Sequence, residues 1–210
     1  MSEELPEFDA EPVLAVLERH GVRSVMVGGY AARLHGAQRP TRDVDVAPAT
    51  TPENLTRLAA ALTELGARIR TEAEPAGLPF AASAESLAGV QTLNLQSSLG
   101  ELDLTFQPAA TGGYSALDRT AETHRVGEVQ VRVAALADVI RSKEAAGRDK
   151  DFAALPELYR LAGADRTGPT SSFPLPVTSL RPEPPTPAER INAAREAARR
   201  QRPGRGGPKR

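Results

Sequence analysis

The stretch from Val22 to Ala47 constrains the fold of this 210-residue chain more than any other part of the sequence. The segment from Val22 to Val27, which closes with three apolar residues, predicts a short buried strand that ends at the glycine pair Gly28–Gly29. Tyr30 to His35 has a helical pattern, and Asp43 to Ala47 alternates charge with Val, which is typical of a strand. These elements together predict a sheet with polar groups gathered on one face.

The remaining elements predict the fold class. Residues 90–96 and 101–107 have strand patterns and are joined by Ser97–Gly100, which indicates a hairpin. Further helical and strand patterns alternate along the chain as far as Leu161. Because helices alternate with strands and a hairpin is present, we predict an α/β (α+β) fold with a mixed β-sheet flanked by helices.

Proline divides the chain into two parts. Half of the 18 prolines follow Asp165, where the apolar periodicity has ended. We therefore predict a folded domain over 1–165 and a disordered, Pro-rich linker and basic tail over 166–210. The formal net charge of −1 then combines an acidic body with a basic tail. The tail is either an RNA-contacting arm or a solubilising terminus.

Composition excludes several classes of protein. The chain has no cysteine, so disulfides and thiolate metal sites are excluded. Its three histidines, His20, His35 and His124, are scattered, and we expect no zinc site. No apolar run is long enough to span a membrane, and the acidic N-terminus lacks a signal core. We predict a cytoplasmic protein with no membrane partner.

Two aspartates on the second predicted strand are candidate metal ligands. Asp43 and Asp45 are two residues apart, so both project from one face, while Val44 and Val46 face the core. Two such carboxylates repel each other unless a cation lies between them, and Mg²⁺ or Mn²⁺ suits oxygen ligands. If the strand carrying Asp103 is a neighbour, three carboxylates would cluster and bind metal.

The glycine pair suggests the other half of a site. Gly28–Gly29 lets the backbone approach a ligand closely, and amides at a helix start favour phosphate. Alone, a glycine pair is more often a tight turn, and Asp-x-Asp is often a solvated strand face. In combination, the two motifs predict a site for a nucleotide phosphate and a metal.

These two motifs resemble those of the nucleotidyltransferase superfamily with the DNA polymerase β fold. Its motif is Gly-Gly or Gly-Ser after a hydrophobic residue, followed by Asp-x-Asp/Glu. The interval between Gly29 and Asp43 in this chain is at the long end of the range usual in the family. The resemblance implies that Asp43 and Asp45 bind metal, that Asp103 helps to activate an acceptor hydroxyl, and that an NTP is the substrate.

A second block narrows the resemblance. Lys143-x-x-Ala-Gly-Arg148-x-Lys-Asp151 is similar to the block that closes the site in AbiEii-type and MenT-type nucleotidyltransferases, which are bacterial toxins. The resemblance implies that Lys143 and, less specifically, Arg148 contact the nucleotide, and that Asp151 orients site residues. From the helical pattern alone, Lys143 lies near the buried face, where a partly buried lysine needs an anion such as a phosphate or Asp151. The alternative, which the pattern alone favours, is an ordinary surface lysine whose aliphatic chain lies over the helix.

Thr41 also fits this branch. Family members have a Ser or Thr two residues before the first metal Asp. A cognate antitoxin can phosphorylate this hydroxyl residue and silence the enzyme, so the resemblance implies that Thr41 is a regulatory phosphorylation site. The alternative is that Thr41 simply enters a strand or follows the turn at Pro40.

The resemblance implies a toxin that transfers NMP to the 3′ end of tRNA. Alternative acceptors are a protein hydroxyl and a small molecule such as an aminoglycoside, and a further alternative is a non-catalytic nucleotide-binding module.

Overall fold

The structure is a computed structural model that describes residues 8–164. The predicted linker and basic tail over 166–210 lie outside this range, so the domain boundary near residue 165 stays a prediction. Within the range, no helix combines the length and apolar character needed to cross a membrane.

One sheet contains all eight strands of the described residues, in the order β4-β3-β5-β6-β2-β1-β8-β7. The strands are Ser24–Val27 (β1), Asp43–Pro48 (β2), Arg68–Ile69 (β3), Leu78–Pro79 (β4), Thr92–Ser97 (β5), Gly100–Thr105 (β6), Glu122–Val126 (β7) and Val129–Val133 (β8). β2 is parallel to β6, and β1 is parallel to β8, whereas the other neighbours are antiparallel. The predicted mixed sheet is confirmed.

Helices connect and flank these strands. They are Glu11–Arg19 (α1), Gly28–Leu34 (α2), Pro52–Glu64 (α3), Ala84–Leu87 (α4), Tyr114–Thr120 (α5), Leu136–Ala146 (α6), Asp149–Phe152 (α7) and Leu155–Ala164 (α8). The apolar pattern from Lys150 to Leu161 predicts a single helix, and this prediction is wrong, since the segment is divided into α7 and α8. Pro156 explains the break, because its ring would clash with the carbonyl of Phe152 inside a continuous helix.

The edge strand β7 was not predicted from the sequence. Within this strand only Val126 is buried, and the residues before it are polar. Because the strand lies at the edge of the sheet, it needs no alternating apolar face, and its sequence carries no periodic signal.

Alternation along β2 and β6 separates the core from the polar face. Val44, Val46, Leu102 and Leu104 are at most 1% exposed, and they belong to the main core. The aspartates that alternate with them are more exposed than these core residues and lie on the opposite face. The polar residues of both strands are therefore held in place by the burial of their apolar neighbours.

A buried asparagine joins α3 to the sheet. The Asn54 side chain is fully buried; its Oδ1 accepts from the Arg23 amide at 2.7 Å, and its Nδ2 donates to the carbonyls of Arg23 and Ala49 at 3.0 and 2.8 Å. Thr51 caps the helix by accepting from the Asn54 amide at 3.4 Å. This network connects the start of β1 to the end of β2.

We expect Asn54→Ala to reduce the free energy of unfolding by about 1–3 kcal/mol, because the Arg23 amide and the Ala49 carbonyl lose their hydrogen bonds to the Asn54 side chain. Urea unfolding measures the loss. Thr56→Ala, an exposed change on the same helix, is the matched control and should cost less than about 0.5 kcal/mol. Equal losses for the two variants would contradict this role of Asn54.

Candidate functional site

Three carboxylates meet where β2 pairs with β6. The parallel register places Asp45 opposite Asp103 and Asp43 opposite Glu101. Ligand oxygens of Asp43, Asp45 and Asp103 lie within 4.8 Å of one another. The expectation that Asp103 lies on a strand next to β2 is therefore confirmed, and the three side chains form one acidic cluster.

The glycine pair lies directly against this cluster. β1 is antiparallel to β2 with Val27 opposite Asp45, so the chain enters α2 beside that carboxylate. Gly28 has a φ of +68°, and a Cβ there would lie 2.0 Å from Asp45 Oδ2. The Gly29 amide donates to the same oxygen at 3.3 Å. Only glycine at position 28 combines this backbone conformation with so close an approach.

Burial and mutual repulsion make the cluster electrostatically unfavourable without a cation. Burial, reinforced by the charges of Asp43 and Asp103, raises the pKa of Asp45 from 3.8 to about 7. Burial also raises the pKa of Asp103, against the opposing effect of Arg70. A divalent cation bound here would relieve the repulsion and favour the ionised form of both groups.

Arg70 is a site residue that sequence reasoning missed. Its Nη2 lies 3.1 Å from Asp103 Oδ1 and 3.2 Å from Glu101 Oε2. Its Nε is buried and has no hydrogen-bond partner among the described residues. The guanidinium holds Asp103 in place from the β3 side of the sheet. Its approach depends on the order β3-β5-β6, which no local pattern of the sequence reveals.

The second sequence block forms a charged network of its own around Asp151. Asp151 is fully buried; Arg148 Nε donates to its Oδ2 at 2.6 Å, and Lys143 Nζ lies 3.3 Å from its Oδ1. Burial alone would raise the pKa of Asp151, but Arg148 and Lys143 together hold it below its usual range. The sequence suggested either a phosphate or Asp151 as the partner of Lys143, and in the structure Lys143 pairs with Asp151.

Thr41 contacts both parts of the site. Its hydroxyl donates to Asp43 Oδ1 at 2.5 Å. A Cβ on Gly29 would lie 2.7 Å from Thr41 Oγ1, so the hydroxyl also lies against the start of α2.

One cavity of about 440 Å³ joins these groups, a size typical of sites for small ligands. It is lined by all nine residues selected from the sequence, which are Gly28, Gly29, Thr41, Asp43, Asp45, Asp103, Lys143, Arg148 and Asp151. Glu101 and Lys150 also line the cavity and were not selected. Acidic and basic side chains occur around it in equal number.

No family model matches this chain, and no curated protein matches its sequence significantly. Among solved structures, the lincosamide antibiotic adenylyltransferase LnuA in its lincomycin-bound form is 15% identical, with a TM-score of 0.49 over 74% of this chain and 99% of that one. The antibiotic-resistance factor ANT(2'')-Ia is 18% identical, with a TM-score of 0.45 over 90% of this chain and 89% of that one.

An antigenic nucleotidyltransferase-like protein from Paracoccidioides brasiliensis is 14% identical, with a TM-score of 0.45 over 75% of this chain and 78% of that one. Similarities this distant do not identify an activity. The function must therefore be inferred from the acidic cluster and its cavity.

The raised pKa of Asp45 predicts that the free energy of unfolding of the metal-free protein depends on pH. Between about pH 4 and pH 7 the folded state retains a proton that the unfolded chain releases, so stability falls as pH rises through this window. With EDTA, Asp45→Asn should therefore be more stable than wild type by roughly 2–4 kcal/mol at about pH 8, and by much less near pH 4.

Urea unfolding across this pH range measures the difference, and millimolar Mg²⁺ should reduce it. Asp118→Asn is the matched control, because Asp118 lies in an exposed ion pair with Arg132. A difference in unfolding free energy between Asp45→Asn and wild type that does not change with pH would contradict the electrostatic interpretation.

Proposed function

We propose that this protein is a metal-dependent nucleotidyltransferase, which transfers a nucleoside monophosphate from an NTP to an acceptor hydroxyl and releases pyrophosphate. The observation that carries the proposal is the cluster of Asp43, Asp45 and Asp103 in the wall of the cavity, with ligand oxygens within 4.8 Å of one another. The close approach of Gly28–Gly29 to the same cluster leaves a backbone surface where phosphates can lie.

The donor set fits a hard divalent cation. Three carboxylates supply oxygen ligands, which Mg²⁺ and Mn²⁺ prefer, and a cation would offset the repulsion among them. Asp43, Asp45 and Asp103 would hold the metal, which when bound would neutralise charge on the triphosphate and polarise its phosphoryl oxygens.

The charge around the cavity supports binding of an NTP together with metal. Because acidic and basic side chains line it in equal number, the protein alone presents little net attraction for a triphosphate. Lys143, Arg148 and Lys150 line the same cavity as the acidic cluster, where they can contact phosphate oxygens. Asp151 orients two of these cations through its ion pairs.

In the proposed reaction, the acceptor oxygen bonds to the α-phosphorus while the bond from that phosphorus to the α–β bridging oxygen breaks. Pyrophosphate leaves with the bonding electrons. Asp103 takes the proton of the acceptor hydroxyl as the general base. Catalysis then depends mainly on positioning and on electrostatic stabilisation.

For the acceptor we propose the 3′ end of tRNA, in a toxin that blocks translation. The support is the sequence resemblance of the second block, together with Arg33, Arg39 and Arg42, which line the cavity just before or beside the acidic strand. These arginines can contact an RNA backbone. A cognate antitoxin would be the protein partner.

Incubation with each α-labelled NTP, Mg²⁺ and either tRNA, cell protein or aminoglycosides tests the reaction and separates the acceptors. We expect labelled tRNA, and a loss of at least about 10²–10³-fold for Asp43→Asn and for Asp45→Asn. Asp118→Asn should retain wild-type transfer. Label on protein or on an aminoglycoside would show that tRNA is not the acceptor. Near-wild-type transfer by Asp43→Asn or Asp45→Asn would show that these aspartates are not catalytic.

Thr41 offers a regulatory site within the proposed function. Phosphate on its hydroxyl would add nearly two negative charges beside Asp43 and would compete with the triphosphate for metal. Thr41→Glu should lower transfer more than about tenfold relative to Thr41→Gln, which has the same size without the charge.

Thr41→Val should stay active and become insensitive to a phosphorylating antitoxin. The transfer assay measures all three variants. Equal activity of the Glu and Gln variants would show that charge at this position does not affect the triphosphate.

A further inference from the structure

A second cluster of metal-ligating side chains lies outside the cavity. His35, Glu122 and His124 each offer one ligand atom, and these atoms lie within 4.8 Å of one another. His35 is the residue that ends α2, while Glu122 and His124 are two residues apart on the edge strand β7 and share one face. None of the three lines the 440 Å³ cavity.

The arrangement of the two imidazoles suits a shared metal ion. Their ring centroids are 5.3 Å apart and the rings are nearly perpendicular, at 78°. Two imidazoles on one tetrahedral Zn²⁺, with Zn–N distances of about 2.0–2.1 Å, would place their centroids about 5 Å apart. The rings therefore need little movement to bind one ion.

The backbone already orients His35 in the manner of a metal ligand. Its Nε2 lies 2.8 Å from the carbonyl oxygen of Ala134, which can only accept, so Nε2 carries the hydrogen. The other ring nitrogen, Nδ1, is then left with its lone pair. A backbone carbonyl that fixes the tautomer in this way is a usual companion of histidine ligands.

Glu122 supplies an oxygen ligand. Its Oε2 lies 3.6 Å from His124 Nε2, and its side chain is 59% exposed. The carboxylate can therefore reach an ion at the surface, and a fourth position would stay open to water.

We propose that His35, Glu122 and His124 bind Zn²⁺, or a similar transition metal, at a site separate from the acidic cluster. Two imidazoles and one carboxylate favour such metals over Mg²⁺, whereas three carboxylates favour Mg²⁺. The bound ion would join the end of α2 to the edge strand β7 and would stabilise the fold. The proposal does not depend on nucleotidyl transfer.

Calorimetric titration of the full chain with Zn²⁺ tests the site, and it is carried out in excess Mg²⁺ and on Asp45→Asn as well as wild type so that any Zn²⁺ bound by the acidic cluster is recognised. We expect one Zn²⁺ per chain and a rise in melting temperature. His35→Gln keeps a donor for Ala134 but removes the nitrogen ligand, and it should weaken Zn²⁺ binding at least about tenfold, as should His124→Gln. Glu122→Gln should weaken it less.

His20→Gln is the matched control, because His20 pairs with Glu64 elsewhere and is the third histidine of the chain. Its Zn²⁺ affinity should equal that of wild type. Imidazole NMR signals of the wild-type protein give a second readout that needs no variant, and those of His35 and His124 alone should shift with Zn²⁺. Absence of saturable Zn²⁺ binding, or unchanged affinity in the His35 and His124 variants, would overturn the proposal.

Discussion

The parallel pairing of β2 with β6 is the constraint on which the site depends. A slip of one residue would turn Asp103 toward the core and Leu102 and Leu104 toward the cavity. Each fully buried Val or Leu on these strands contributes about 1.5–3 kcal/mol, so several of them outweigh the repulsion among three carboxylates. Hydrophobic burial on one face of the sheet thus stabilises an unfavourable cluster of charges on the other.

The negative charges of Asp151 and Asp45 are compensated in different ways. Asp151 is completely enclosed, and it is stabilised inside the protein by Arg148 and Lys143. Asp45 has no such ion pair among the described residues; it accepts one amide hydrogen bond from Gly29 and lies beside two further carboxylates. The charge of Asp151 is therefore balanced by side chains of the protein, whereas the repulsion around Asp45 would be relieved by protonation or by a bound cation.

The short helix α2 connects the features of greatest functional interest. Its first residue, Gly28, lies against Asp45, and the residue that ends it, His35, is bonded to Ala134 after β8. Both ends of the helix are thus attached to the sheet by polar contacts. The position of the glycine pair beside the acidic cluster depends on these attachments as well as on packing.

Local pattern was sufficient to predict the acidic strand face. Alternation of Asp with Val or Leu determines which face each carboxylate takes, and a glycine pair after an apolar run marks the turn into α2. Alternation of helices and strands predicted the mixed sheet, and nine of the residues that line the cavity were chosen as site residues, three of them chiefly from the family resemblance of the second block.

Only the tertiary structure determined which distant side chains contact one another. Arg70 reaches Asp103, and His35 meets His124, only because of the order of strands in the sheet, and the residues involved are far apart in the chain. From their spacing the histidines were expected to form no zinc site, and the polar edge strand β7 that brings two of them together was not predicted at all. Periodicity reports which way a side chain faces, but the partner it meets depends on strand order and register, which arise from packing of the whole sheet.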